Sequence, residues 1–157
     1  MEADGKRFGD WEMDLVVGKG QRSAVLTLVE RSTGMLMQTK LKSKRPDEVA
    51  RQVIRLLLPF KESVHTITTD NGFEFRGHLM IARKLETVVY FTDPYSSWQK
   101  GAVENANKLL RQYFPKGTDF NLVTQEELDK IQYKINRRPR EKLNFSNPTT
   151  EFYKNFV

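Results

Sequence analysis

The sequence predicts an α/β domain built on a mixed five-stranded sheet flanked by helices, and three observations carry that expectation. Five β-type runs fall between Gly9 and Thr92, the first three joined by turns short enough to require antiparallel pairing. Helical segments follow the third, fourth and fifth runs, so the order reads β-β-β-α-β-α-β-α, with two more helices after it. The 157 residues contain no internal repeat, low-complexity stretch or dividing linker, so a single domain over 1–157 is expected.

The elements follow in order. Gly9 to Val17 alternates Trp11, Met13, Leu15 and Val17 with Asp10, Glu12 and Asp14, the twofold repeat of a strand. Acids are poor strand formers, and Asp10 and Glu12 read equally as a solvated face or as groups placed for a task. Gly18-Lys19-Gly20 is a turn, Ser23 to Glu30 a second strand, Arg31-Ser32-Thr33-Gly34 a turn, and Met35 to Lys40 a third strand. Pro46 opens a helix where its missing N–H costs nothing, with Asp47 and Glu48 beside the positive end of the dipole. Val49, Val53, Ile54, Leu57 and Leu58 give that helix an apolar face, and Pro59 ends it.

Val64 to Thr69 is a β-branched run that reads as a buried strand, with His65 as packing and Asp70 at the carboxyl end. Ligands of open α/β sheets gather beside such ends; Asp70-Asn71-Gly72 reads equally as a tight turn chosen for its backbone angles. His78 to Lys84 is a helix, with His78 a helix-start residue, and Thr87 to Thr92 is the fifth strand. Asp93 to Arg111 begins as a turn-rich loop and becomes a helix on which Glu104, Lys108 and Arg111 share one face. By itself that face reads as a surface ion pair worth ~0.3–0.5 kcal/mol, or as a carboxylate for a metal with cations for phosphates. Thr124 with Glu127 forms a capping-box pattern for a helix whose inward positions include Leu128, Ile131 and Ile135. Pro139 stops it, and a last helix is expected from Pro148 to Phe156.

Composition narrows the chemistry. With 26 Lys and Arg against 20 Asp and Glu, the net charge of +6 favours a polyanionic partner such as nucleic acid. The absence of cysteine excludes disulfides, thiol catalysis and cysteine-ligated zinc. His65 and His78 are the only imidazoles, too few for a histidine-rich metal centre. Carboxylates remain as ligands, and they select hard cations, Mg²⁺ or Mn²⁺. No run approaches the ~18 apolar residues of a membrane span, and a cytoplasmic protein is expected.

Three motifs in order carry a family resemblance: Trp11-Glu12-Met13-Asp14; Thr69-Asp70-Asn71-Gly72-Phe73-Glu74-Phe75; and Pro94-Tyr95 followed by Gly101-Ala102-Val103-Glu104-Asn105-Ala106-Asn107-Lys108. With 33 residues between Asp70 and Glu104, the sequence resembles the catalytic core of DDE transposases and retroviral-type integrases, a ribonuclease-H-like fold. The stretch from Arg111 to Thr118 resembles the tail of a bacterial insertion-sequence subgroup.

The resemblance implies a transposase core that cleaves DNA at element ends and joins it to target DNA, with two Mg²⁺ or Mn²⁺ ions. Asp14 would bridge both ions, Asp70 would complete one site and Glu104 the other. Lys108 and Arg111 align with positions that contact DNA phosphates in related cores; Asn107, on the same helix near Glu104, and Lys100, in the loop before it, are further expected DNA contacts, and Tyr95 and Trp98 would stack on bases or brace their loop. Glu74 and Asp93 are nearby acids without an assigned role. Action on paired ends implies a homodimer or larger assembly on DNA, and the chain is expected to be a core lacking upstream end-recognition domains. A metal-dependent nuclease of the same fold and a non-catalytic DNA-binding or assembly module are the alternatives.

Overall fold

The computed structural model describes residues 6–93 and 97–157. Its sheet is built from β1 (Asp10–Val17), β2 (Ala24–Glu30), β3 (Leu36–Lys40), β4 (Thr66–Thr69) and β5 (Val88–Phe91), in the spatial order β3-β2-β1-β4-β5. The first three strands form the antiparallel meander expected from their short turns. β1 also pairs in parallel with β4, and β4 with β5, through crossovers that contain α1 (Pro46–Leu57) and α2 (His78–Leu85). Parallel pairing puts the carboxyl ends of β1 and β4 on the same side of the sheet, where a binding crevice forms.

Both faces of the sheet are covered, which decides against a solvated face for Asp10 and Glu12. Trp11, Met13, Leu26 and Leu28 pack on one face with Val49 and Val53 of α1 and Ile81 and Leu85 of α2. Val16, Val25, Val29 and Leu36 pack on the other, against α3 (Gly101–Tyr113) and α4 (Gln125–Asn136). The twofold alternation is real, but the polar side of β1 faces a helix instead of water. Asp10 and Glu12 are therefore both fully buried.

Local signals set the helix ends. Pro46 stands in the first turn of α1 beside Asp47 and Glu48. Thr124 and Glu127 complete their capping box at α4, satisfying two backbone N–H groups the helix itself leaves unpaired. The last helix, α5 (Pro148–Tyr153), is shorter than expected, a 3₁₀ turn continuing it through Phe156. Its Phe152 is fully buried, edge-on to Trp11 and to Phe60, and ties the C-terminus to the first core face. β4 begins at Thr66, so His65 precedes the strand; it is exposed, with its ring lying against Gly9. His78 starts α2 with its ring edge-on to Phe91.

Candidate active site

Asp14 lies mid-way along β1, two residues past its last pairing with β4 and on the face that meets α3, and Asp70 follows the last residue of β4. Alternation and parallel pairing together bring these two carboxylates to one place. Each uses one oxygen for positioning. Asn107 of α3 donates from Nδ2 to Asp14 Oδ2 at 3.0 Å, and the backbone N–H of Gly72 donates to Asp70 Oδ1 at 2.9 Å. The remaining oxygens share a cation: Lys100 Nζ is 3.3 Å from Asp14 Oδ1 and 3.3 Å from Asp70 Oδ2. Lys100 ends a 3₁₀ turn at the start of α3 and is only 6% exposed.

Beneath the pair, Glu12 joins β1 to the start of α3. Its Oε1 accepts the backbone N–H of Val103 at 2.9 Å, while Oε2 forms an ion pair with Arg31 Nε at 2.9 Å without an aligned hydrogen bond. Burial pushes the Glu12 carboxyl above its usual range, opposed by the Val103 N–H and by the Arg31 and Lys100 charges. The residue preceding α3 offers no side-chain cap, so the acid from β1 supplies one from across the fold.

Glu104 sits exposed in the first turn of α3 and lines an open pocket of about 530 Å³ with Asn107, Lys108, Arg111, Pro115 and Lys116. Among the described residues Glu104 and Lys108 form no ion pair, so the surface-pair reading of this face fails; both side chains are exposed and line the pocket. Arg111 is committed differently. Its guanidinium donates to Val17 O at 2.8 Å and, more weakly, to the carbonyls of Phe114 and Pro115, and burial lowers its pKa. Lys116, which sequence reasoning left in the tail motif without a role, is exposed on the pocket rim.

Gly72 is explained by crowding, not by backbone angles. Its φ of −78° and ψ of 156° are open to any residue, but a Cβ there would stand 2.9 Å from both Asp70 Oδ1 and Glu74 Oε2. The tight-turn reading of Asp70-Asn71-Gly72 is thereby corrected: glycine lets two carboxylates approach one backbone position.

Residues 5–97 match the family model described as the integrase core domain. The chain belongs to that family. It is 45% identical over 147 residues to the transposase for insertion sequence element IS4351 of Bacteroides fragilis, covering 94% of this chain and 45% of that protein. Against transposase InsI for IS30A of Escherichia coli it is 38% identical over 144 residues, covering 91% of this chain and 37% of that protein. The chain thus spans less than half the length of these curated relatives. The catalytic core domain of BIV integrase superposes with a TM-score of 0.74 at 18% identity, over 96% of this chain and 97% of that one. The simian T-cell lymphotropic virus intasome gives a TM-score of 0.74 at 18% identity, over 96% of this chain and 56% of that one. Both are likenesses of fold, and the fold is the ribonuclease-H-like one expected from the motifs.

In this integrase core the Asp14–Asp70 pair fits a metal ion: two carboxylate oxygens already converge on one positive charge, and an oxygen donor set suits a hard divalent cation. Among the described residues no three Asp, Glu, His or Cys side chains gather closely enough to hold one ion, so Glu104 stands apart from the pair. Of the expected DNA contacts, Lys108 faces the pocket, whereas Lys100, Asn107 and much of Arg111 are occupied within the protein. Tyr95 and the Trp98 side chain lie outside the described residues. Asp93 is exposed, its backbone N–H donating to Gln99 Oε1. No helix among the described residues is long and apolar enough to cross a membrane.

Proposed function

We propose that this core carries out metal-dependent DNA strand cleavage at element ends and strand transfer into target DNA, with Asp14, Asp70 and Glu104 as its catalytic acids and metal ligands. The observation that supports this most is the convergence of Asp14 Oδ1 and Asp70 Oδ2 on one cation beside a pocket lined by Glu104 and lysines. Two Mg²⁺ or Mn²⁺ ions, when bound, supply charge stabilisation at the attacking and leaving oxygens of an in-line phosphoryl displacement. The chain's own residues hold the geometry. Asn107 and the Gly72 N–H fix the two aspartates, Glu12 fixes the start of α3, and α3 carries Glu104 toward the same crevice. Lys108 and Lys116 offer ammonium groups to DNA phosphates. No side-chain nucleophile is required, since water or a DNA 3′-hydroxyl attacks. A homodimer or larger assembly on DNA would place two such sites on paired ends.

The test is a gel assay with a labelled duplex ending in an exposed 3′-hydroxyl, in Mg²⁺, Mn²⁺ or Ca²⁺. Cleaved and joined products are expected with the first two ions and binding alone with Ca²⁺, whose looser coordination suits chemistry poorly. Asp14→Asn, Asp70→Asn and Glu104→Gln should each remove products while leaving the fold intact. Activity undiminished in any one of them strikes that residue from the site. Cleavage with no joining would leave a metal-dependent nuclease.

A further inference from the structure

The way the two aspartates divide their oxygens has a consequence for Lys100. Asp14 Oδ2 is held by Asn107 and Asp70 Oδ1 by the Gly72 N–H, so neither carboxylate depends on Lys100 for its orientation. The ammonium takes only the two oxygens left over, Asp14 Oδ1 and Asp70 Oδ2, each at 3.3 Å. Remove it, and both oxygens still aim at one point. A divalent cation would need those oxygens at ~2.0–2.1 Å for magnesium, and a second cation bridging the same pair would be repelled at that separation.

The residue after Lys100 puts no side chain in the way of the ammonium. Lys100 is followed by Gly101, the exposed first residue of α3, where an added Cβ would meet nothing within 4 Å. Lys100 itself has φ −125° and ψ 31°, outside the helix proper. Gly101 therefore puts no side chain in the path of the Lys100 stem, which can change its own side-chain torsions while α3 stays in place. Glu12 caps the first turn of α3 independently through Val103, so the helix start stays anchored.

We propose that Lys100 is an exchangeable internal counter-ion: its ammonium and a divalent cation compete for Asp14 Oδ1 and Asp70 Oδ2. The displaced ammonium swings outward past Gly101 on its own side-chain torsions to contact a phosphate of bound DNA. Metal and DNA then assist each other, because the ion releases a phosphate-binding group and DNA holds that group away from the ion's ligands. By linkage each raises the affinity of the other by the same factor. The inference rests on the reading of Asp14 and Asp70 as metal ligands.

Mn²⁺ binding to the 157-residue chain, followed by water-proton relaxation without DNA, tests the competition, and duplex binding with and without Ca²⁺ tests the coupling. Lys100→Met keeps the aliphatic stem and removes the charge; Lys100→Gln repeats the change with a polar end, and circular dichroism verifies each fold. Both variants are expected to bind Mn²⁺ ~10-fold tighter than the parent, a typical coupling strength. They should also lose most of the gain in DNA affinity that Ca²⁺ gives the parent. Equal or weaker Mn²⁺ binding by both variants, with binding still abolished by Asp14→Asn, overturns the counter-ion role alone. Binding that survives Asp14→Asn and Asp70→Asn overturns the metal site and this inference with it.

Discussion

Asn107 holds Asp14 and Thr27 at once: its Nδ2 donates to Asp14 Oδ2 at 3.0 Å and its Oδ1 accepts from the Thr27 hydroxyl at 3.0 Å. Thr27 stands directly opposite Asp14 in the β1–β2 ladder, so one amide on α3 spans two neighbouring strands. The contact orients the acid and is consistent with one flip of the amide, nitrogen toward carboxylate and oxygen toward hydroxyl.

Asn107→Ala is expected to reduce metal-dependent cleavage ~10–100-fold, the usual cost of losing a group that orients a metal ligand. The melting temperature should change little because Asn107 is only half buried. Mn²⁺ affinity measured alongside activity separates orientation from DNA contact. A loss confined to DNA affinity would make Asn107 a substrate-binding residue instead.

Gly72→Ala probes the crowding at Asp70. The backbone angles suit alanine, and the loss of unfolded-state freedom favours the variant by ~0.4–1 kcal/mol. Its Cβ would nonetheless press on Asp70 Oδ1 and Glu74 Oε2, both 2.9 Å away. Near-parental thermal stability is expected together with weakened Mn²⁺ binding, by about tenfold. Unchanged metal affinity would show that Asp70 tolerates the shift.

Lys108 and Lys116 define the basic side of the pocket with Glu104. The Lys108→Ala/Lys116→Ala double variant should lower duplex affinity and flatten the slope of log affinity against log salt by about 2, near one per phosphate contact. Arg111→Ala is expected to act on stability more than on that slope, since its donors already satisfy backbone carbonyls. Slopes measured between low and moderate salt decide both.

Asp10 supplies a pH dependence of folding. Burial pushes its carboxyl up, but hydrogen bonds from Arg7 and Thr66 outweigh that and hold it below the usual range. A depressed folded-state pKa means the unfolded chain takes up the proton first as pH falls, so this stabilisation is present above about pH 4. It is lost as pH drops through the folded value. Asp10→Asn should cost about 1–2 kcal/mol at pH 7, a modest figure because Arg7 is 51% exposed and screened. The gap between variant and parent should close on acidification; a pH-independent gap would assign the loss to packing.

Much of the fold was legible in the residues because its signals are local. Alternation marked β1, short turns marked the meander, Pro46 and the Thr124–Glu127 box marked helix starts, and each observed strand lies within its expected run. The misreadings came where a side chain's partner lies far along the chain. Glu12 looked as open to solvent as to burial until α3 covered it, 91 residues away at Val103. Lys100 and Arg111 read as DNA contacts, yet one meets Asp14 and Asp70 and the other the Val17 carbonyl.

The sequence by itself determined the element order, the acid types at positions 14, 70 and 104, and the basic balance, since these depend on residue chemistry and short-range spacing. The tertiary structure alone decided which oxygens face which cation. Parallel pairing of β1 with β4 and the docking of α3 on the polar side of β1 brought Asp14, Asp70 and Lys100 within 3.3 Å contacts and left Glu104 in the adjoining pocket. Spacing along a chain records neither the pairing of strands nor the face a helix covers; those follow from burying both sides of one sheet at once.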